Sequence, residues 1–185
     1  MSDACKIAIT GGIGSGKSYV VNLLREKGIE VFDCDAAAKK LMRESDDIRE
    51  KLTAAIGSDA YDSDGRLNKA AVSRFLLASD ENTTIINSIV HPAVAEAFRQ
   101  SGKQWMECAI LFESGFDRLV DKVVCVAAPL ELRIQRIMKR DSLNREKALE
   151  WINKQMPQQE LLSRSDHIIY NDGEHDLMEQ IANIK

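Results

Sequence analysis

Eight consecutive residues, Gly11, Gly12, Ile13, Gly14, Ser15, Gly16, Lys17 and Ser18, read G-x-x-x-x-G-K-[ST]. Glycines let successive backbone N–H groups turn toward one point, and a cradle of that kind suits phosphate oxygens. A helix starting near Lys17 adds its positive dipole end. A lysine at this spacing reaches β- and γ-phosphates, and the Ser18 hydroxyl is an oxygen donor suited to Mg²⁺; the loop alone does not choose among a GTPase, an ATPase motor and a small-molecule kinase. Four constrained positions match by chance in about one chain in a hundred of this length. The flanks agree with the motif, because an apolar run precedes it and helical spacing follows.

Further groups stand where phosphoryl chemistry can use them. Asp33 and Asp35 follow a second apolar run directly. A carboxylate at that sheet edge, beside the phosphate loop, can orient an attacking hydroxyl or take its proton. Asp35 can assist Mg²⁺ through water, or it can cap the helix that follows. Glu113 ends the run Ile110-Leu111-Phe112 and is expected at the close of a third strand. Arg136 and Arg140 lie four residues apart on one helical face, where two cations can close over a transferring phosphoryl group. Arg133 reads as part of a solvated helix. His91 precedes Pro92, a pair expected to separate two helices. No NKxD-type guanine reader is present, since Asn153-Lys154-Gln155-Met156 lacks the aspartate.

The elements that must position these groups follow from periodicity. Residues 6–10 read as a buried strand, 18–27 as a helix closed by Gly28, and 29–32 as a second strand. Strand, helix and strand in this span make a βαβ unit, the building block of parallel sheets. From 35 to 102 the spacing is helical, with breaks at 57–65, 79–80 and 91–92, which gives four or five helices. Strands return at 105–112 and 121–128. Pro129 opens a helix through Arg140, and Ser142-Leu143-Asn144 separates it from another ending near Gln155. Residues 167–170 read as a last strand and 174–184 as a closing helix.

The expected fold is therefore α/β: a five-stranded parallel sheet flanked by helices. A core of 1–35, 103–129 and 160–185 carries a helical insertion at about 36–102 and a helical lid at about 130–159. Ligands of such sheets bind at the carboxyl ends of the strands.

Composition excludes several classes. The chain has 185 residues, 44% hydrophobic and 29% charged, ordinary for a globular protein. No apolar run approaches the roughly 18 residues of a membrane span, and no signal peptide is expected. A net charge of −4 disfavours a partner that presents a phosphate backbone, so no nucleic acid is expected. Four cysteines at 5, 34, 108 and 125 form no CxxC pair and fit no zinc spacing. The expectation is a reduced, cytoplasmic protein, a monomer or weak homo-oligomer.

Taken together, the segments resemble dephospho-CoA kinase. The residues that carry the resemblance are Ile9 to Ser18 (ITGGIGSGKS), Val31 to Asp35 (VFDCD), His91-Pro92, Ile110 to Glu113 (ILFE), and Arg136 to Asp141 (RIMKRD). Gln155 and Ser165 to Asp172 (SDHIIYND) fit as well. The resemblance implies a P-loop kinase that transfers phosphate from ATP to the ribose 3′-hydroxyl of dephospho-coenzyme A. It implies Asp33 as base, Arg140 on the ATP phosphates, and Asn171 near the nucleotide. Asp35, Lys39, His91 and Glu113 then stand on the acceptor side. Lys39 and Asn68-Lys69 occupy positions where the family often has arginine and an Asp-Arg-like pair, and lysine lacks arginine's bidentate fork. Tyr19 replaces a common threonine, and Ala109 a common proline. Two other readings are another small kinase, acting on a nucleoside monophosphate or a shikimate-like acid, and a nucleotide-binding switch without turnover.

Overall fold

The structure, a computed structural model, describes residues 5–184. Two compact units emerge: one built from the chain up to Phe32 together with Lys103 onward, the other from Asp33–Gly102.

In the first unit, β1 (Ile7–Thr10) is buried along its whole length. A near-continuous apolar run is what a strand covered on both faces requires. After the glycine loop, α1 (Lys17–Glu26) buries Val20, Val21 and Leu24, and β2 (Val31–Asp33) follows, its last residue being the first of the second unit. The second strand thus begins two residues later than the apolar run suggests and takes in Asp33.

The second unit holds α2 (Cys34–Glu44), α3 (Asp46–Ile56), α4 (Lys69–Ala78) and α5 (Asp80–Ser101). Their starts are written in the sequence. Ser45 Oγ accepts the Ile48 N–H at 3.4 Å, Asn68 Oδ1 that of Ala71 at 3.2 Å, and Ser79 Oγ that of Asn82 at 3.2 Å. Gly102 closes α5 at φ 66°. The expected break at His91-Pro92 is absent: Pro92 lies inside the 22-residue α5. Val90, Val94, Ala95 and Phe98 are buried on both sides of it, and packing of an apolar face outweighs the proline's lost hydrogen bond. Leu52 is fully buried in this unit. Leu52→Ala is expected to cost about 2–5 kcal/mol of stability, read as a lower urea midpoint at unchanged m-value.

Returning to the first unit, the chain forms β3 (Trp105–Glu107), β4 (Lys122–Ala127), α6 (Leu130–Asp141), α7 (Arg145–Asn153), α8 (Gln158–Ser163), β5 (His167–Tyr170) and α9 (Leu177–Ala182). The sheet order is β2-β3-β1-β4-β5. Pairings β1–β3, β1–β4 and β4–β5 are parallel, with Thr10 beside Cys125. The chain goes to one side of β1 and later to the other, so the loop leaving β1 stands where the order reverses, the place such sheets bind ligands.

Several expectations need correction. The third strand ends at Glu107, not near Phe112; residues 109–115 form turns. Leu111 in that segment is fully buried, so an apolar turn imitated a strand. The closing helix is six residues long rather than eleven, because Asp176 caps it by accepting the Met178 and Glu179 N–H groups. Helix α8 follows Pro157 directly, as Pro129 precedes α6.

Candidate active site

The loop of residues 11–16 joins the buried β1 to α1, and its glycines have separate reasons. Gly16 sits at φ 94°, a conformation that disfavours other residues, and a methyl group there would collide with the Asn171 amide. Gly12 needs no unusual φ; a methyl group on it would fall on the Arg133 guanidinium. Helix α1 has no side-chain cap and no acidic residue in its first turn. In contrast, α2, α3 and α5 each carry aspartate there. No side chain therefore competes with an external anion at the start of α1, as phosphate sites require.

Side chains from the second half of the unit fasten the loop. Lys17 Nζ donates to the Gly11 and Gly12 carbonyls at 2.7 and 3.4 Å. Arg136 donates to the Gly14 and Ser15 carbonyls at 3.3 and 3.2 Å and to the Asn171 carbonyl at 3.0 Å. Asn171, nearly buried, donates to the Ser15 carbonyl at 2.9 Å. Arg136 and Asn171, expected from the sequence at ATP, hold carbonyls of the phosphate loop. Ile13 is an anchor: Gln155 Oε1 accepts its N–H at 2.6 Å, and Arg133 Nε donates to its carbonyl at 2.9 Å. Its side chain packs on the cluster of Ile134, Ile137 and Ile152.

The arginines of α6 differ in environment. Arg133, read as solvated, is buried against the loop. Arg140 is exposed and donates to its neighbour Asp141 at 2.8 and 2.9 Å. Ser18 is exposed at the start of α1, and Ser15 is buried. Cys125 lies fully buried beside Thr10, and burial pushes its thiol up to about 11, so it is no nucleophile at neutral pH.

Asp33 ends β2 and caps α2: its Oδ1 accepts the Ala36 N–H at 2.8 Å. Of the two aspartates it is Asp33 that caps, and Asp35 sits exposed in the first turn of α2. His91 is half-buried in α5, and burial holds its imidazole below the ordinary value. Glu113 is exposed on a turn, six positions past the strand end it was expected to occupy.

Within the second unit, Lys39 and Arg43 from α2, Arg66 from the α3–α4 connection and Lys69 at the start of α4 line a cavity of about 410 Å³, with Met42 and Leu67 in its wall. Sequence reading had marked Lys39 and Lys69. It missed Arg43 and Arg66, which only the return of the chain at the Tyr61–Leu67 bridge brings together. Among the described residues no group of three or more His, Cys, Asp or Glu could hold a metal ion, and no helix is long and apolar enough to cross a membrane.

Comparison with known proteins agrees with this geometry. A family model described as dephospho-CoA kinase matches residues 5–176. A dephospho-CoA kinase of Bacteroides fragilis is 43% identical over 98% of this chain and 91% of its own length. One of Corynebacterium diphtheriae is 36% identical over 95% and 92%. Among solved structures, a Thermus thermophilus protein superposes with TM-score 0.80 at 32% identity, covering 96% of this chain and 92% of its own. A shikimate kinase of Acinetobacter baumannii, 19% identical with TM-score 0.54 over 96% and 88%, shares the fold.

Proposed function

The chain belongs to the dephospho-CoA kinase family, and from that premise we propose how its residues carry out the reaction, the transfer of a phosphoryl group from ATP to the ribose 3′-hydroxyl of dephospho-coenzyme A. The products are ADP and coenzyme A, and the step is the last of coenzyme A biosynthesis. The observation that carries the reading is the phosphate loop with an uncapped helix behind it, followed by a carboxylate at the end of the next strand.

Phosphoryl transfer needs little covalent work from a protein; positioning and charge neutralisation dominate. ATP lies along residues 11–18, with its phosphates at the N-terminal end of α1 and on Lys17. The Lys17 ammonium exchanges its loop carbonyls for phosphate oxygens. Arg136 and Asn171 keep the loop in shape. Asp33 orients the acceptor hydroxyl and receives its proton. The cations Lys39, Arg43, Arg66 and Lys69 form an anion-binding wall for the acceptor's phosphates, with Met42 and Leu67 beside its apolar arm. Asp35, His91 and Glu113 are assigned to the same acceptor side.

The donor set fits Mg²⁺. Ser18 offers an exposed hydroxyl, and among the described residues no cluster of carboxylates competes; magnesium characteristically binds through few protein oxygens together with water and substrate phosphates. Bound there, the ion would neutralise charge on the β- and γ-phosphates. The reading further places the protein in the cytoplasm as a monomer or weak homo-oligomer.

Arg140 is the lid cation, exposed and tied only to Asp141 among the described residues. Arg140→Ala is expected to lower kcat about 10- to 100-fold, the scale of a lost charge-assisted hydrogen bond, with little change in acceptor KM. A rise in acceptor KM alone would move Arg140 to the acceptor side. The function itself is tested by ADP release with dephospho-coenzyme A, AMP and shikimate as acceptors. Turnover with the first is expected; comparable turnover with either other acceptor would contradict it.

A further inference from the structure

Arg133 is 4% exposed, yet no carboxylate pairs with it among the described residues. Its partners are neutral: the Ile13 carbonyl at 2.9 Å and Gln158 Oε1 at 3.4 Å. A buried cation without a counter-charge is costly and persists only where something repays it. Burial lowers its pKa from the ordinary arginine value, the direction such desolvation dictates. The surroundings are shaped to it. Gly12 has no side chain where the guanidinium lies, and a methyl group on Gly14 would stand 2.7 Å from the Arg133 carbonyl oxygen.

The bond to Ile13 fixes a peptide orientation. In a planar trans peptide the C=O and the following N–H point in opposite directions. With the Ile13 carbonyl held by Arg133, the Gly14 N–H is aimed away from α6. The preceding peptide is held the other way round: Gln155 takes the Ile13 N–H, and the Gly12 carbonyl accepts from the Ser15 N–H at 3.1 Å and from Lys17 Nζ. Two successive peptides of the phosphate loop are thus locked in opposite senses by α6 and by the segment after α7.

We propose that Arg133 is a positioning residue for the nucleotide polyphosphate: it locks the Ile13–Gly14 peptide and stores behind the loop a positive charge whose counter-ion is the incoming phosphate chain. This rests on the reading of residues 11–18 as the ATP site. It separates Arg133 from Arg136, which meets the loop carbonyls from the partly buried side and also has the Asn171 oxygens.

A stored charge and a structural brace make opposite demands on the protein without ligand. Arg133→Met removes a buried cation and keeps apolar bulk, which such sites tolerate or gain from. The apo thermal midpoint should therefore hold or rise. The ATP dissociation constant should rise about 10- to 100-fold, so the ATP-induced increase in midpoint should shrink. The loss should be largest for ATP, smaller for ADP and least for AMP, because it follows phosphate charge. Arg133→Lys should recover part of the ATP affinity. If Arg133→Met does not fold, Arg133→Gln carries the test, since its amide still donates to the Ile13 carbonyl while the charge is gone. ATP affinity within about threefold of the parent, or an equal loss for ATP and AMP, overturns the proposal. The parent isotherm is the control for the site itself: a parent that binds no ATP contradicts the nucleotide assignment, whereas equal binding by parent and variant contradicts only the role of Arg133.

Discussion

Asp33→Asn is expected to lower kcat by roughly 10²–10⁴-fold, the scale of a positioned general base, while leaving α2 and ATP binding in place. The structure makes this substitution unusually clean. Asp33 Oδ1 caps α2 through the Ala36 N–H at 2.8 Å, and asparagine caps about as well as aspartate. The helix loses only the benefit of a negative charge at its N-terminus, about 0.3–1 kcal/mol. The carboxylate's ability to accept a proton disappears. If capping were its whole role, turnover would stay within about threefold of the parent. If Asp33 acted through Mg²⁺, raising Mg²⁺ would restore much of the rate. The measurement is kcat across a Mg²⁺ titration beside an ATP-binding isotherm.

Lys17→Met should cut kcat/KM by about 10²–10³-fold, comparable to removing one preorganised donor from developing charge. Lys17 Nζ bonds the Gly11 and Gly12 carbonyls, both at a loop whose shape Arg136, Asn171 and Gln155 also hold. The thermal midpoint should therefore fall by no more than a few degrees. Turnover and midpoint measured together separate the two effects. Near-parental turnover would remove the phosphate-loop assignment.

The parts legible in the sequence were those whose signal is local. Residues 11–18 carry glycine, lysine and serine at fixed spacing, and the apolar runs on either side announce β1 and α1. Asp33 was legible as a strand-end carboxylate; that it rather than Asp35 caps α2 depends on where β2 ends. Local signal failed where packing decides. Residues 109–112 are apolar because Leu111 is buried in a turn, not because β3 continues. Pro92 stays helical because the face around it is buried. Arg133, Arg136 and Arg140 look alike along the chain, yet one is buried, one half-buried and one exposed. Arg133 and Arg136 meet loop residues 120 to 122 positions earlier, which no spacing rule encodes, whereas Arg140 meets its neighbour Asp141. The same holds for Gln155, which meets Ile13 across 142 positions. In the second unit, Arg43 and Arg66 join Lys39 and Lys69 only through the turn at 61–67.

The most direct measurement is ADP formation from ATP in the presence of dephospho-coenzyme A and, separately, of its 3′-deoxy analogue. The analogue keeps every phosphate and the apolar arm and lacks only the accepting hydroxyl. Turnover is expected with the first, with phosphate recovered on the ribose 3′-oxygen, and none above the acceptor-free background with the second. Equal ADP release with both compounds, or release with neither, would contradict the proposed reaction.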